Sequence, residues 1–361
     1  MISETDKQYM RQALNLAHHG LGRVWPNPSV GCVIVKNGVL LAAARTADGG
    51  RPHAETIALE QVGKEAKGAT VYVTLEPCAH TGKTPPCALA LAEAGVSRVV
   101  IASEDPDSRV NGKGTEILKA AGIDVTSGVL EKEARELNKG FFLKTTAGRP
   151  LITLKTACSL DGKTALANGQ SKWITGALAR RHVQNLRARH DAVLAGIGTV
   201  KADNPLLTAR VDGIKHKTVR VILDTKLTIS LESQLVKTAK EFPLWIFHTG
   251  GPADKQKQLT DAGAKLFQTK KNALAPVMKI LAVEGITRLF VEGGATVHTA
   301  FLKENLYDEL YIYRAPVLLG GEARPAFGDL ELTEIIQAER LYLKKTRKLG
   351  QDLLEIYTAE E

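Results

Sequence analysis

The 361 residues contain no apolar run approaching the roughly 18 residues that a membrane span requires, so an integral membrane protein is excluded. The opening residues 1–20 are polar and amphipathic, without the apolar stretch of a secretory signal, and a cytoplasmic address is expected. Four cysteines (Cys32, Cys78, Cys87 and Cys158) are too few for a disulfide scaffold of this length and read as free thiols or metal ligands. Aromatics are sparse, with three Trp, seven Tyr and eight Phe, and no block of five or six like charges occurs. A single-strand binding surface of interleaved aromatic and basic residues is therefore not evident. What the chain does have is 48 basic against 39 acidic residues, a net charge of +9. That excess suits an anionic partner, nucleic acid or a small phosphorylated molecule, and is equally compatible with dispersed charge kept for solubility. With 44% hydrophobic and 24% charged residues the composition is that of a globular protein. At roughly 150 residues per domain, the length suggests two domains.

Periodicity predicts two α/β units in series. Met10, Ala13, Leu14, Leu16 and Ala17 fall at helical spacing within 6–19. Asn37-Gly38 is a hairpin signal between strands 32–35 and 39–44. Helices at 53–62, 86–94, 114–121 and 131–144 alternate with strands at 69–75, 98–102 and 124–127, a mixed sheet with crossover helices. Ala147-Gly148-Arg149-Pro150 marks a break, giving expected domains 1–147 and 148–361. The second half restarts with strand 151–157, then helix 176–189 and strands 191–196, 219–223 and 244–248. Helix 273–283, strand 288–292 and helix 295–304 follow, and two late strands, 310–315 and 352–358, suggest an antiparallel end to the sheet. Asp191 to Thr199 reads as one apolar strand ending in Gly196-x-Gly198.

The residues richest in chemistry are Pro52-His53-Ala54-Glu55 and Glu76-Pro77-Cys78 with Cys87. One imidazole and two thiolates are three ligands suited to zinc, leaving a fourth tetrahedral position open, which is the catalytic rather than the structural arrangement. Glu55, two residues after the His, is placed to shuttle a proton from water to a leaving amine. His-x-Glu with a Pro-Cys pair is the zinc deaminase signature. A lone His-x-Glu arises by chance and a lone Pro-Cys is usually a buried thiol. Their combination at a helix start and a strand end carries the argument. Eight residues, 79–86, separate the cysteines, a departure from the short Cys-x-x-Cys form.

Pro26-Asn27-Pro28-x-Val30-Gly31, Pro52-His53-Ala54-Glu55 and the run from Thr74 through Gly82-Lys83-Thr84-Pro85-Pro86 to Cys87 resemble the bifunctional riboflavin-biosynthesis deaminase/reductase family, over nearly the whole chain. The resemblance implies a cytidine-deaminase-like three-layer domain followed by a dihydrofolate-reductase-like α/β domain. It implies zinc on His53, Cys78 and Cys87, Glu55 as the proton shuttle, and a phosphoribosylaminopyrimidine whose 2-amino group is hydrolysed. Asn27, His80, Lys83, Thr84 and Asp105 would line that pocket. Thr46 stands where many relatives carry His, and Asp107 where they often carry Asn, which leaves those two pocket contacts open.

For the second half the resemblance implies NADPH and hydride transfer to C1′ of the opened ribose chain, giving a ribityl group. Ala157, Trp173, Thr199, Asp203, Gly294, Ala295, Thr296, Val297, His298, Thr299 and Ala300 would face the cofactor, and Ser171, Arg187, Leu207, Arg210 and Glu292 the substrate. Independently, the Gly293-Gly294 turn before a helix offers unpaired N–H groups to a phosphate. Arg187 and Arg210 carry forks apt for phosphate. Lys155, Asp203 and Glu292 are the ionisable groups available for proton delivery, with Lys155 the candidate donor. The expected partner is a small phosphorylated pyrimidine, without nucleic acid or membrane, in a homo-oligomer. Competing readings are a tRNA or single-stranded DNA deaminase with an accessory nucleotide-binding domain, and a non-catalytic zinc-binding regulatory module.

Overall fold

The computed structural model describes residues 2–80, 85–107, 110–214, 217–270 and 273–359. The chain forms two compact units, Met1–Arg149 and Pro150–Glu361. Among the described residues no helix is long and apolar enough to cross a membrane.

The first unit runs α1 (Glu4–His18), β1 (Gly31–Lys36), β2 (Val39–Arg45), α2 (Ala54–Val62), β3 (Thr70–Val73), α3 (Cys87–Glu93), β4 (Arg98–Ile101), α4 (Lys113–Ala120), β5 (Asp124–Ser127), α5 (Glu131–Leu137) and α6 (Lys139–Ala147). Ser3 and Asp6 start α1 with a capping box, Asp6 N donating to Ser3 Oγ at 3.0 Å and Ser3 N to Asp6 Oδ2 at 3.1 Å. Asn37 and Gly38, at φ 52° and 77°, form the two-residue turn whose twist matches the antiparallel β1–β2 pair. Sheet order is β2-β1-β3-β4-β5, with β1 antiparallel to both neighbours and β3, β4 and β5 parallel.

Strand alternation divides the core into two faces. Cys32, Ile34, Val71 and Val73 pack with Ala54, Ala58, Leu91 and Leu118 from α2, α3 and α4. Val33, Val35 and Tyr72 pack with Met10, Leu14 and Ala134 from α1 and α5. Three layers result. The single helix expected over 131–144 is two helices broken at Asn138. Its buried amide accepts from Ser29 N at 3.0 Å and donates to Ser29 O at 2.9 Å, so a tertiary contact overrides helix continuity.

The second unit runs β6 (Leu151–Cys158), β7 (Lys163–Ala165), α7 (Ala177–Ala188), β8 (Ala192–Gly196), α8 (Ile197–Asp203), β9 (Val219–Leu223), α9 (Gln234–Lys237), β10 (Leu244–His248), α10 (Ala253–Asp261), β11 (Ala264–Gln268), α11 (Leu274–Val283), β12 (Arg288–Val291), α12 (Ala295–Lys303), β13 (Glu309–Arg314), β14 (Arg324–Pro325), β15 (Tyr342–Leu349) and β16 (Asp352–Thr358). Nine strands order as β11-β10-β9-β8-β12-β6-β13-β16-β15. They are parallel from β11 to β13, and β16 and β15 add antiparallel, as the late strands suggested. The expected strand to Thr199 stops at Gly196, where the chain turns into α8. Sequence patterning missed β7, α9, α10, β11, β14 and β15; β15 is exposed at every position except Leu349 and so lacks the alternation that marks a half-buried strand.

Candidate functional site

His53 sits at the extended residue before α2, Glu55 lies in the first turn of that helix, Cys78 follows the end of β3, and Cys87 opens α3. The His53, Cys78 and Cys87 ligand atoms lie within 4.8 Å of one another. His53 Nδ1 is 3.3 Å from Cys87 Sγ and 3.7 Å from Cys78 Sγ, and the Cys87 amide donates to Cys78 Sγ at 3.3 Å. Bonds from the Cys87 thiol, His53 and the Cys87 amide draw the Cys78 thiol down to about 4, and the same thiol pair together with burial pushes Cys87 far up. A soft, anionic sulfur beside an imidazole is the donor set zinc takes, so the residues fit that metal. Burial pushes the Glu55 carboxyl up to about 7 against the opposing pull of His53.

His53, Glu55 and Cys78 open onto a cavity of about 530 Å³ that also gathers Asn27, His80 and Asp105, together with the two departing positions Thr46 and Asp107. Cys87 is buried and absent from the lining, and Lys83 and Thr84 lie outside the described residues. Thr46 is buried and its hydroxyl accepts from Val30 N at 3.0 Å, so it serves the backbone. Asn27 donates to Gly50 O at 2.6 Å. His80 Nδ1 is buried without a hydrogen-bond partner among the described residues. Asp105 Oδ1 accepts from Asp107 N at 2.8 Å, and burial pushes its carboxyl up to about 6. Sequence reasoning gave no role to Arg51, Glu76, Phe141, Lys144 and Thr145, which share the lining. Arg51 flanks one quoted motif and Glu76 lies within another, whereas the three α6 residues carry no local signal.

In the second unit, β6, α7 and the residue after β12 converge on a buried ion cluster. Arg187 grips Glu292 with both Nε and Nη2, the latter at 3.1 Å, and donates through Nη1 to Thr208 O at 3.1 Å. Lys155 Nζ lies 3.6 Å from Glu292 Oε2. Burial lowers the Lys155 ammonium while Glu292 pulls it back; burial also pushes Glu292 up, but Arg187 and Lys155 outweigh it and hold the carboxyl below its ordinary range. The Arg187 fork is thus committed to a carboxylate.

Asp203 instead faces Lys172 at 3.6 Å near the surface. Trp173 is 70% exposed, beneath the Arg180 guanidinium at 4.5 Å. Ser171 and Thr199 are half-buried, as is Ala157 on β6. Leu207 is buried at φ 53°, and the Arg210 amide donates to Gln184 Oε1 at 3.0 Å.

Helical geometry divides the run after Gly294. Thr296, Val297 and Ala300 line a cavity of about 170 Å³. His298 and Thr299 turn inward, His298 with its ring 6.1 Å from Phe327 and Thr299 bonded to Ala295 O and Gly328 N at 2.7 Å each. Gly293 is sterically required, since a Cβ there would stand 2.4 Å from Val297 Cβ; next to Gly294 a Cβ would meet only Thr199 Oγ1, at 3.9 Å, so that side of the turn is open. An open glycine turn at the start of α12, where a helix's first amides point away from its own carbonyls, fits a phosphate-bearing cofactor.

Residues 3–103 match the family described as the cytidine and deoxycytidylate deaminase zinc-binding region, and residues 150–354 the RibD C-terminal domain. The riboflavin biosynthesis protein RibD of Bacillus amyloliquefaciens is 47% identical over 324 residues, covering 89% of this chain and 87% of the relative. The solved RibD of Acinetobacter baumannii, form 1, is 42% identical with a TM-score of 0.91, covering 98% of this chain and 99% of its own. A Thermotoga maritima structure described as a diaminohydroxyphosphoribosylaminopyrimidine deaminase/5-amino-6-(5-phosphoribosylamino)uracil reductase is 33% identical with a TM-score of 0.87, covering 98% of both chains. The expected order, a deaminase-like domain followed by a reductase domain, is that of these proteins, and this chain belongs to the RibD family of riboflavin biosynthesis proteins.

Proposed function

We propose that the first unit hydrolyses the 2-amino group from 2,5-diamino-6-(5-phosphoribosylamino)pyrimidin-4-one and that the second reduces the ribosyl chain of the product to ribityl with NADPH. The single observation that carries the first step is the convergence of the His53, Cys78 and Cys87 ligand atoms at the edge of a cavity lined by His53, Cys78 and buried Glu55. As a RibD family member with both domains, the chain is a deaminase and a reductase, which favours this reading over a nucleic-acid deaminase.

Zinc on His53, Cys78 and Cys87 would supply the Lewis acidity that makes water nucleophilic near neutral pH. Glu55 takes the proton of the attacking water and delivers it to the departing amine, a task suited to a carboxyl held at about 7. Asn27, His80 and Asp105 orient the pyrimidine within the cavity, and Lys83 and Thr84 are assigned to the phosphate. Domains 1–147 and 148–361 are the assigned halves.

In the second unit NADPH would supply the hydride, with its pyrophosphate at the Gly294 turn and Thr296, Val297 and Ala300 alongside. Lys155 is the proposed proton donor. Its buried ammonium is depressed and lies against Glu292, which suits it to give a proton to the nitrogen of the ring-opened C1′ imine as NADPH would supply hydride to C1′. Asp203, paired with Lys172 at the surface, is the weaker candidate. The same reading makes the protein a cytoplasmic homo-oligomer acting on a small molecule, with rates unchanged by added RNA.

The deciding experiment follows ammonia release and NADPH oxidation on the purified full chain. The expected result is ammonia release from the phosphoribosylaminopyrimidine, NADPH oxidation only once deaminated product is present, and slower oxidation of NADH. Ammonia without any pyrimidine-dependent NADPH oxidation would refute the reductase assignment, and no ammonia would refute the deaminase one.

A further inference from the structure

We propose that Glu76 is a positioning residue of the deaminase site, whose buried carboxylate fixes the Asp105 turn and the start of α4 against the segment that carries Cys78. This rests on the deaminase reading above. Glu76 is 3% exposed, lines the cavity and precedes Cys78 by two residues. Its Oε1 accepts from Thr115 N at 3.0 Å, and its Oε2 from Gly112 N at 3.0 Å and Asp105 N at 3.4 Å. Its own amide donates to Ser103 O at 2.9 Å, so both backbone and side chain grip the segment leading into Asp105.

Three converging N–H donors call for a group that only accepts. An amide of the same shape would turn its NH₂ toward at least one of them. The first turn of α4 also lacks a side-chain cap of its own, because Gly112 precedes it, and the carboxylate fills that place from 36 residues away. Contact between the segments is close: a Cβ on Gly114 would lie 2.1 Å from Pro77 O and 3.2 Å from Glu76 Oε1. Through Asp105, which both lines the cavity and closes its own turn onto Asp107 N, the grip of Glu76 sets where a pocket carboxyl stands relative to the metal ligands. A cap serving stability alone would change unfolding without changing substrate affinity.

The test uses the zinc-loaded full chain with Glu76→Gln and, independently, Gly114→Ala, which displaces the same contact from the other side. Amide hydrogen exchange, zinc content, and deaminase KM and kcat are measured. Faster exchange confined to residues 105–107 and 110–115 is expected, with KM raised about tenfold, kcat within about threefold, and about one zinc per chain retained. Unchanged exchange in Glu76→Gln, faster exchange with a wild-type KM, or a KM that rises only as zinc is lost would each overturn the proposal. Should the wild-type chain release no ammonia, the deaminase reading fails, while the exchange comparison still decides whether Glu76 holds the turn.

Discussion

Two glutamates, one in each unit, have little-exposed side chains and are tuned in opposite directions. Glu55, 4% exposed, is opposed chiefly by one imidazole, and burial lifts its carboxyl to about 7. Glu292, with its side chain 8% exposed, is gripped by Arg187 and Lys155, which hold it below its ordinary range despite burial. Burial alone therefore does not set the protonation state; the neighbouring charges do. A carboxyl that must accept and return a proton is best left without a hydrogen-bonded Lys or Arg partner, whereas one that organises cations must keep its charge.

The largest expected effect tests the first half of that contrast. Glu55→Gln should lower the rate of ammonia release by about 10²–10⁴-fold with zinc retained and with little change in unfolding, because no ion pair is lost. A near-wild-type rate would break the comparison. Glu292→Gln should act the other way round, on stability. It leaves Arg187 and Lys155 buried without their counter-charge, at a cost of about 3–5 kcal/mol, read by denaturant unfolding. If the two variants unfold alike, pairing is not what separates the glutamates.

The same contrast governed what could be read from sequence. The metal centre was legible because its chemistry admits few residue types and sets them close together: His53 and Glu55 are two apart, and Cys78 follows a strand. Elements with strong periodicity, such as α1, β1, β9 and α12, were legible for the same local reason. The ion cluster of the second unit was not, since Arg187 and Glu292 are 105 residues apart and nothing local says that they pair. Nor was the break at Asn138, whose partner Ser29 lies 109 residues away, or the grip of Glu76 on amides 29 to 39 residues onward. Tertiary pairing over such separations leaves no mark on a window of 11–18 residues.

A smaller effect sharpens the division of labour between the units. Gly293→Ala places a methyl 2.4 Å from Val297 Cβ at the start of α12. Overpacking of this kind costs about 1–3 kcal/mol. It should raise the KM for NADPH while leaving the rate of ammonia release unchanged. A matching fall in both activities would show that the turn serves the fold rather than the cofactor.

The smallest effect asks whether a paired carboxylate behaves in the first unit as Glu292 does in the second. Asp6 is buried and bonded by both ends of the Arg98 guanidinium, at 2.8 and 3.2 Å. Burial pushes its carboxyl up, but Arg98 and the Ser3 amide and hydroxyl outweigh this and hold it at about 2, below the ordinary 3.8. A folded value below the unfolded one stabilises in full above pH about 4 and loses that contribution as the pH falls through about 2. With Arg98 partly open to solvent, the contribution is about 1 kcal/mol. Asp6→Asn should therefore lower the melting temperature of the first unit slightly at neutral pH, and its melting temperature should fall less steeply than wild type between pH 4 and 2. Parallel acid profiles for the two proteins would mean that Asp6 gains nothing from Arg98, and that pairing sets the charge of a buried carboxylate only in the second unit.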